Sequence, residues 1–392
     1  MFSSRIDWCV QPNRLMTILE QKKQKNIPVL DLTETNPTTA GLVYETHAIR
    51  QWVSQPDILL YHPDSRGSIT ARESIAGYYR DHGQSAHPDQ MVLTASTSEA
   101  YSFLLKLLCD PGDEILFPQP SYPLFDFLAA WESVSPKPYP LVYSSQSGWQ
   151  IDTDRLLDAV SSRCRAIVVV NPNNPTGSFL KPSELQVIDN LCHRFDLALI
   201  VDEVFLDYPS KNRYVRANTT VGHSRSLTFT LSGLSKICGL PQLKLGWIHV
   251  SGPDSLVKSA CSRLELIADT YLSVSAPVQI ALPDLLMNRN IIQAQIQTRI
   301  AENEHFYLST MQNHGRFVPY PREGGWYQVM TIPDTVSDEE LACHFLEEDN
   351  LLVHPGYFYD FDENSPSLVL SLITPSHIFQ DGICRLMKSD IG

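Results

Sequence analysis

Four apolar runs of strand length, 91–94 (MVLT), 166–170 (AIVVV), 197–201 (LALIV) and 227–230 (LTFT), are separated by stretches with helical periodicity. This alternation constrains the fold more than any other feature. Strands interleaved with helices build an α/β domain with a mostly parallel central sheet and helices on both faces. Ligands of such sheets bind beyond the carboxyl ends of the strands, so the loops after these four runs are the places to search.

The intervening stretches carry helix signals. Residues 183–196 follow Lys181-Pro182, pair Ser183 with Gln186 in capping-box spacing, and set Leu185, Ile188, Leu191, Cys192 and Phe195 on one stripe. A surface helix packed on the sheet is predicted there. Residues 98–109 are apolar nearly all round and stop at Asp110-Pro111-Gly112-Asp113, which predicts a buried helix. A pattern without Gly or Pro from Asn288 to about Gln312 is long enough to connect two lobes. The resulting division is an N-terminal segment of a small domain at 1–45, a large domain at 46–287, and a C-terminal small α+β domain at 288–392.

Composition excludes several classes. A chain of 392 residues, 43% hydrophobic and 19% charged, is an ordinary globular enzyme-sized chain, not a disordered, collagenous or disulfide-scaffold one. A net charge of −14 repels nucleic acid and anionic membrane surfaces. The N-terminus does not read as a signal peptide, and no apolar run approaches the ~18 residues of a membrane span. Eight cysteines lie scattered without CxxC spacing, so neither a zinc site nor a disulfide framework is expected, and a cytoplasmic location fits. No lysine or arginine stands between Arg322 and Arg385, so the C-terminal lobe is acidic.

The four loops hold distinct chemistries. After MVLT come Ser96, Thr97 and Ser98, hydroxyls at a helix start where backbone N–H groups can seat a phosphate. After AIVVV, Asn171-Pro172-Asn173-Asn174-Pro175-Thr176-Gly177 presents an amide on a constrained backbone. After LALIV stands Asp202-Glu203, and after LTFT stands Ser232-Gly233-Leu234-Ser235-Lys236, with Lys244 further on. A lysine so placed is a candidate nucleophile.

In order and spacing, Asn174-Pro175-Thr176-Gly177, Asp202-Glu203 and Ser235-Lys236 resemble the class I/II (fold-type I) pyridoxal-phosphate-dependent aminotransferases. Tyr61…Gly67, Tyr122-Pro123 and His354-Pro355-Gly356 support the likeness. The resemblance implies pyridoxal 5'-phosphate as cofactor and Lys236 as the lysine that forms a Schiff base with it and then moves the substrate proton. It implies Asp202 at the pyridine nitrogen, Asn174 and the position of Phe205 at the 3' oxygen, and Tyr122 on the ring face. Ser96, Thr97, Ser98, Ser232, Ser235 and Lys244 would hold the phosphate, with Tyr61 reaching in from a partner subunit, hence a homodimer. The implied reaction is ping-pong transfer of an amino group between an amino acid or related amine and a 2-oxo acid, with no metal. Other reactions on the same fold (lyase, decarboxylase, cyclase, oxidase) stand as the alternative, and a cofactor-binding regulator is a third reading.

Four departures qualify the likeness. Phe205 stands where many members have a tyrosine, and Tyr208 is the next one along. Lys244 replaces an arginine and gives up its bidentate fork. Ser96 replaces a common glycine, which would demand a less permissive backbone. Most seriously, Val369 takes the place of the arginine that grips the substrate carboxylate. Arg322, Thr35, Asn36 and His354 are the candidate substrate contacts in its stead, together with Asn174.

Overall fold

The structure is a computed structural model that describes residues 1–8, 11–211, 215–311, 315–333, 335–362 and 365–389. The four apolar runs all become strands of one eight-stranded sheet. Across it the order is Met91–Thr94, Gly246–Ser251, Thr228–Gly233, Ala198–Asp202, Cys164–Val170, Glu114–Gln119, Ser135–Ser144 and Gly148–Ile151. The five strands from Thr228–Gly233 to Ser135–Ser144 are parallel. Gly246–Ser251 runs antiparallel to both of its neighbours, and Gly148–Ile151 is an antiparallel edge.

Alternation within single strands shows why both faces are covered. Ala166, Val168 and Val170 pack with Tyr101, Phe103, Leu104 and Leu264 on one face. Ile167 and Val169 pack with Ile188 and Leu191 on the other. A strand buried on both sides reads as a continuous apolar run, which is why these were legible.

The buried helix is Thr97–Leu108 and the surface helix is Pro182–Phe195. The latter is capped differently from the expectation. Its first residue is Pro182, and the Glu184 carboxylate, not Gln186, accepts the Lys181 N–H at 2.7 Å and the Ile151 N–H at 2.8 Å. Proline at the first helical position lacks only an N–H that would be unpaired anyway, so the helix starts one residue early.

The long helix Arg289–Met311 leads into a four-stranded antiparallel sheet ordered Val318–Pro319, Tyr327–Thr331, Ser367–Ser371, His354–Pro355. The N-terminal strand Leu30–Asp31 pairs in parallel with Leu351–Leu352. Leu15, Leu19 and Leu32 share one apolar cluster with Ile296, Phe345 and Phe379. The first and last parts of the chain therefore bury their apolar faces together.

Candidate active site

The carboxyl ends of the central strands converge on Lys236. Thr228–Gly233 ends at a glycine because a Cβ on Gly233 would stand 2.9 Å from the Leu245 carbonyl oxygen. The chain then makes the single turn Leu234–Ile237, which carries Lys236. Its ammonium lies 4.7 Å from the Trp326 ring centroid and 5.3 Å from that of Phe205. Burial among these rings pulls its pKa down to about 8, with Asp202 opposing the shift. The turn is held from behind. The Tyr208 hydroxyl donates to the Lys236 carbonyl at 2.6 Å, and Gln293 Nε2 donates to the Ile237 carbonyl at 3.0 Å and to Asp207 Oδ2 at 2.8 Å.

Asp202 is the last residue of its strand and is buried. Its Oδ1 accepts the Val204 N–H at 3.1 Å and its Oδ2 accepts the Tyr101 hydroxyl at 3.2 Å. Burial raises its pKa to about 6 against the pull of those two bonds and of Lys236. Tyr101 was not legible as a site residue, since an aromatic inside an apolar helix reads as core. Removing its bond disfavours the carboxylate, so Tyr101→Phe is expected to lower the stability of the cofactor-free protein by about 1 kcal/mol more at pH 8, where Asp202 is ionised, than at pH 4. Thermal unfolding of the cofactor-free variant at the two pH values checks this.

The Asn171–Gly177 loop joins the site through backbone. The Asn171 N–H donates to the Asp202 carbonyl at 2.8 Å. Gly177, at φ +72°, faces Gly324, and a Cβ there would stand 2.5 Å from the Gly324 carbonyl oxygen. Only glycine lets this loop reach the segment that carries Trp326. Asn174 Oδ1 and Ser232 Oγ are buried without a hydrogen-bond partner.

Ser96 caps Thr97–Leu108: its Oγ accepts the Glu99 N–H at 3.1 Å, while the Glu99 carboxylate accepts the Ala95 N–H at 2.6 Å. Its φ of −168° is ordinary extended backbone, which corrects the expectation that serine would be conformationally disfavoured there. Thr97 and Ser98 open the helix, where N–H groups lack intrahelical partners. A Cβ on Gly246 would meet both Ser96 and Ser232 backbone at 3.1 Å, so glycine brings those two loops together.

Other expected residues are placed as follows. Phe205 is buried beneath the lysine, in edge contact with Trp326 at 5.0 Å. Tyr208 does not take over the role of the missing tyrosine, because its hydroxyl is committed to the Lys236 carbonyl. Tyr122 is partly open, and its pKa is raised by burial and by Asp202. Ser235 is half-buried, one residue before the lysine. Lys244 is exposed, in a left-handed conformation at φ 53°. Tyr61 is 79% exposed.

Two substrate candidates have other partners. The Arg322 guanidinium is buried and paired with Glu304 at 3.1 and 3.0 Å, with its remaining nitrogen, Nη1, donating to the Gly325 carbonyl at 2.8 Å. Asn36 is exposed, its Oδ1 accepting the Thr38 N–H at 3.0 Å in a local turn. Arg322→Ala breaks a mostly buried pair, so it is expected to cost about 2–3 kcal/mol of stability while leaving donor KM unchanged. Thermal unfolding and steady-state kinetics check the two halves.

Thr35 lies beside the Tyr327 hydroxyl together with Asn174 and Trp326. His354 Nδ1 is 3.1 Å from the Tyr359 hydroxyl, and burial holds its pKa down at about 4. Trp326 and Tyr327 were missed as individual contacts, although Glu323-Gly324-Gly325 before them marks a backbone making close approaches.

A buried acid at the end of one strand, a depressed lysine at the end of the next, an amide whose oxygen is unpaired and an unpaired hydroxyl beside a helix start suit a planar, phosphorylated, electron-accepting aldehyde. The residues present fit that group: Asp202 would face its ring nitrogen, Asn174 its ring oxygen, Ser96–Ser98 and Ser232 its phosphate, and Lys236 its aldehyde carbon.

The sequence pattern of aminotransferase class I and II matches residues 27–374. The chain is 26% identical over 343 residues to an alanine aminotransferase of Mycobacterium tuberculosis, covering 84% of this chain and 78% of that one. It is 24% identical over 307 residues to nicotianamine aminotransferase 1 of Oryza sativa, covering 75% of this chain but 61% of that relative. In fold it matches an alanine aminotransferase from Pyrococcus furiosus with a TM-score of 0.87 at 22% identity, covering 99% of both chains. The chain belongs to the class I and II aminotransferases, enzymes that depend on pyridoxal phosphate.

Proposed function

We propose that the protein transfers an amino group between an amino acid or related amine and a 2-oxo acid, in a ping-pong cycle that uses Lys236. The observation that carries this reading is the pairing of a lysine lowered to about pKa 8 with a buried carboxylate raised to about 6, on neighbouring strand ends. When bound, pyridoxal phosphate supplies an aldehyde for amines to condense with and a ring that accepts electrons. The chain supplies the rest. Asp202 would keep a proton on the ring nitrogen, and the Asn174 amide would hold the ring oxygen. Phe205 and Trp326 exclude water from the lysine, so that its amine is held ready to take and return the proton of the donor carbon.

A homodimer with shared sites fits the surface. Leu59 is 87% exposed, Leu266 71% and Tyr61 79%, and Tyr61 lines a surface cavity with Leu60 and Leu272. We divide the chain into domains near residues 45 and 287, on the grounds that Leu30–Asp31 pairs with Leu351–Leu352. A reducing cytoplasm suits the seven free cysteines among the described residues, and no helix in those residues is long and apolar enough to cross a membrane.

The test is to incubate the cofactor-loaded protein with single amines and no acceptor. Stoichiometric oxo product, with recovery of the starting spectrum on adding a 2-oxo acid, is the expected result. Ammonia, carbon dioxide, peroxide or a cyclised product in place of the oxo compound would overturn it.

A further inference from the structure

We propose that Tyr208 and Gln293 are positioning residues for Lys236, acting on the backbone turn that carries it, with Asp207 orienting Gln293. The effect on rate rests on the aminotransferase reading; the effect on the lysine itself does not. Lys236 stands on a single helical turn, Leu234–Ile237. A helix that short makes few bonds of its own, and its last carbonyls need donors from outside. Here side chains supply them. The Tyr208 hydroxyl donates to the Lys236 carbonyl at 2.6 Å, whereas the Gly239 N–H reaches the same oxygen at 3.3 Å. Gln293 Nε2 carries two N–H groups, and it donates to the Ile237 carbonyl at 3.0 Å and to Asp207 Oδ2 at 2.8 Å.

Packing accounts for neither polar group. The Tyr208 ring is buried 5.3 Å from that of Trp326, a contact that phenylalanine would make equally well, so the hydroxyl serves the lysine carbonyl. Gln293 is buried in the long helix between Ile292 and Ile296, where an amide is costly unless it is bonded. Asp207 fixes its orientation. That carboxylate, its side chain 6% exposed, also accepts the Tyr78 hydroxyl at 3.3 Å and lies 2.8 Å from His82 Nε2.

Asp207 and Tyr208 are adjacent, and they close the segment that begins at Asp202. Within it the Val204 N–H donates to Asp202 Oδ1 at 3.1 Å and the Tyr208 N–H to the Phe205 carbonyl at 3.0 Å. One short stretch of backbone therefore holds the buried acid at one end and the lysine turn at the other. The lysine amine must meet the proton of the donor carbon, and a misplacement of about 1 Å can cost on the order of 10²-fold in rate. Loosening the Lys236 carbonyl moves the root of a long side chain, so a small shift there is carried to Nζ.

The test is Tyr208→Phe, with Gln293→Met carrying the same comparisons if the first variant does not fold. With the amino acid that the loaded enzyme converts fastest, kcat is expected to fall roughly tenfold or more while KM moves less than about twofold. A donor deuterated at the carbon that bears its amine should show a larger kinetic isotope effect in the variant, because proton movement by a displaced lysine limits turnover more fully. Placed in Lys236→Ala and assayed with added ethylamine, the same substitution should leave the rate unchanged, since a residue that acts through the lysine has nothing left to act on. Cofactor-free protein gives a reading without turnover: pyridoxal phosphate, trapped on Lys236 with borohydride and located by peptide mass, should attach several-fold more slowly in the variant. Unchanged kcat and isotope effect overturn the inference. An equal loss in the ethylamine assay also overturns it, by making Tyr208 general packing of the site. If no amino acid is converted, the aminotransferase reading fails, and the trapping rate alone decides: slower attachment upholds the positioning role and equal attachment overturns it.

Discussion

Lys236→Ala is expected to reduce amino-group transfer by roughly 10³-fold or more while leaving the chain folded and able to take up pyridoxal phosphate. No other amine shares its place above Phe205 and Trp326 among the described residues, so no side chain can move the proton of the donor carbon in its stead. A small amine added to the medium fits the space that alanine leaves, and partial restoration of the rate by ethylamine is expected. Such rescue distinguishes a lost proton carrier from a collapsed site. Stability should move the other way. The lysine is pulled from 10.5 to about 8 by burial, so the folded chain binds fewer protons than the unfolded one between those values. Its penalty is therefore full below pH 8 and disappears as the pH approaches 10.5. The variant's gain in unfolding midpoint over the unmutated cofactor-free protein should be largest at pH 7 and shrink toward pH 10, which a melting series in buffers across that range checks.

The parts of this site that were legible in the sequence share a property: each stands at or just beyond the end of a fully buried strand. Asn174, Asp202 and Lys236 follow apolar runs too continuous to be anything but central strands, and Pro or Gly marks two of the loops. Position and chemistry were therefore read together. What could not be read depends on side chains that meet across long separations. Tyr101 reaches Asp202, and Gln293 reaches Ile237, from helices whose own periodicity accounts for them as packing. Arg322 shows the converse failure: a lone arginine in a basic-poor stretch looked free, but Glu304, 18 positions earlier, closes on it from the long helix. The strand Gly246–Ser251 escaped notice because Gly246, His249 and Ser251 interrupt its apolar pattern, although all three are buried. The absence of an arginine at Val369 was visible from sequence, but its meaning required the register that seats Val369 between Val329 and His354.

Asp202→Asn is expected to separate stability from activity in one substitution. The carboxyl is raised from 3.8 to about 6, chiefly by burial, so the folded chain binds more protons than the unfolded chain between those values. Stability of the cofactor-free protein therefore falls as the pH rises through that window, and the full penalty stands above pH 6. Two units correspond to on the order of 2–3 kcal/mol. Asparagine keeps the shape, cannot ionise, and can still accept the Val204 N–H, while the Tyr101 hydroxyl can turn to accept from the new amide. The cofactor-free variant should thus melt higher than the unmutated protein at pH 8 and about level with it at pH 4. Pyridoxal phosphate reverses the comparison. With a protonated ring nitrogen opposite, the buried carboxylate gains the partner it lacks, so the cofactor should stabilise the unmutated chain more than the variant. Turnover in the variant should fall by roughly 10²–10³-fold, since an amide holds that proton far less well than a carboxylate does. Melting curves at the two pH values, each with and without cofactor, measure the stability terms. A variant that is less stable than the unmutated protein at pH 8 without cofactor would show that Asp202 is ionised at no cost and that its neighbours, not the cofactor, are its intended partners.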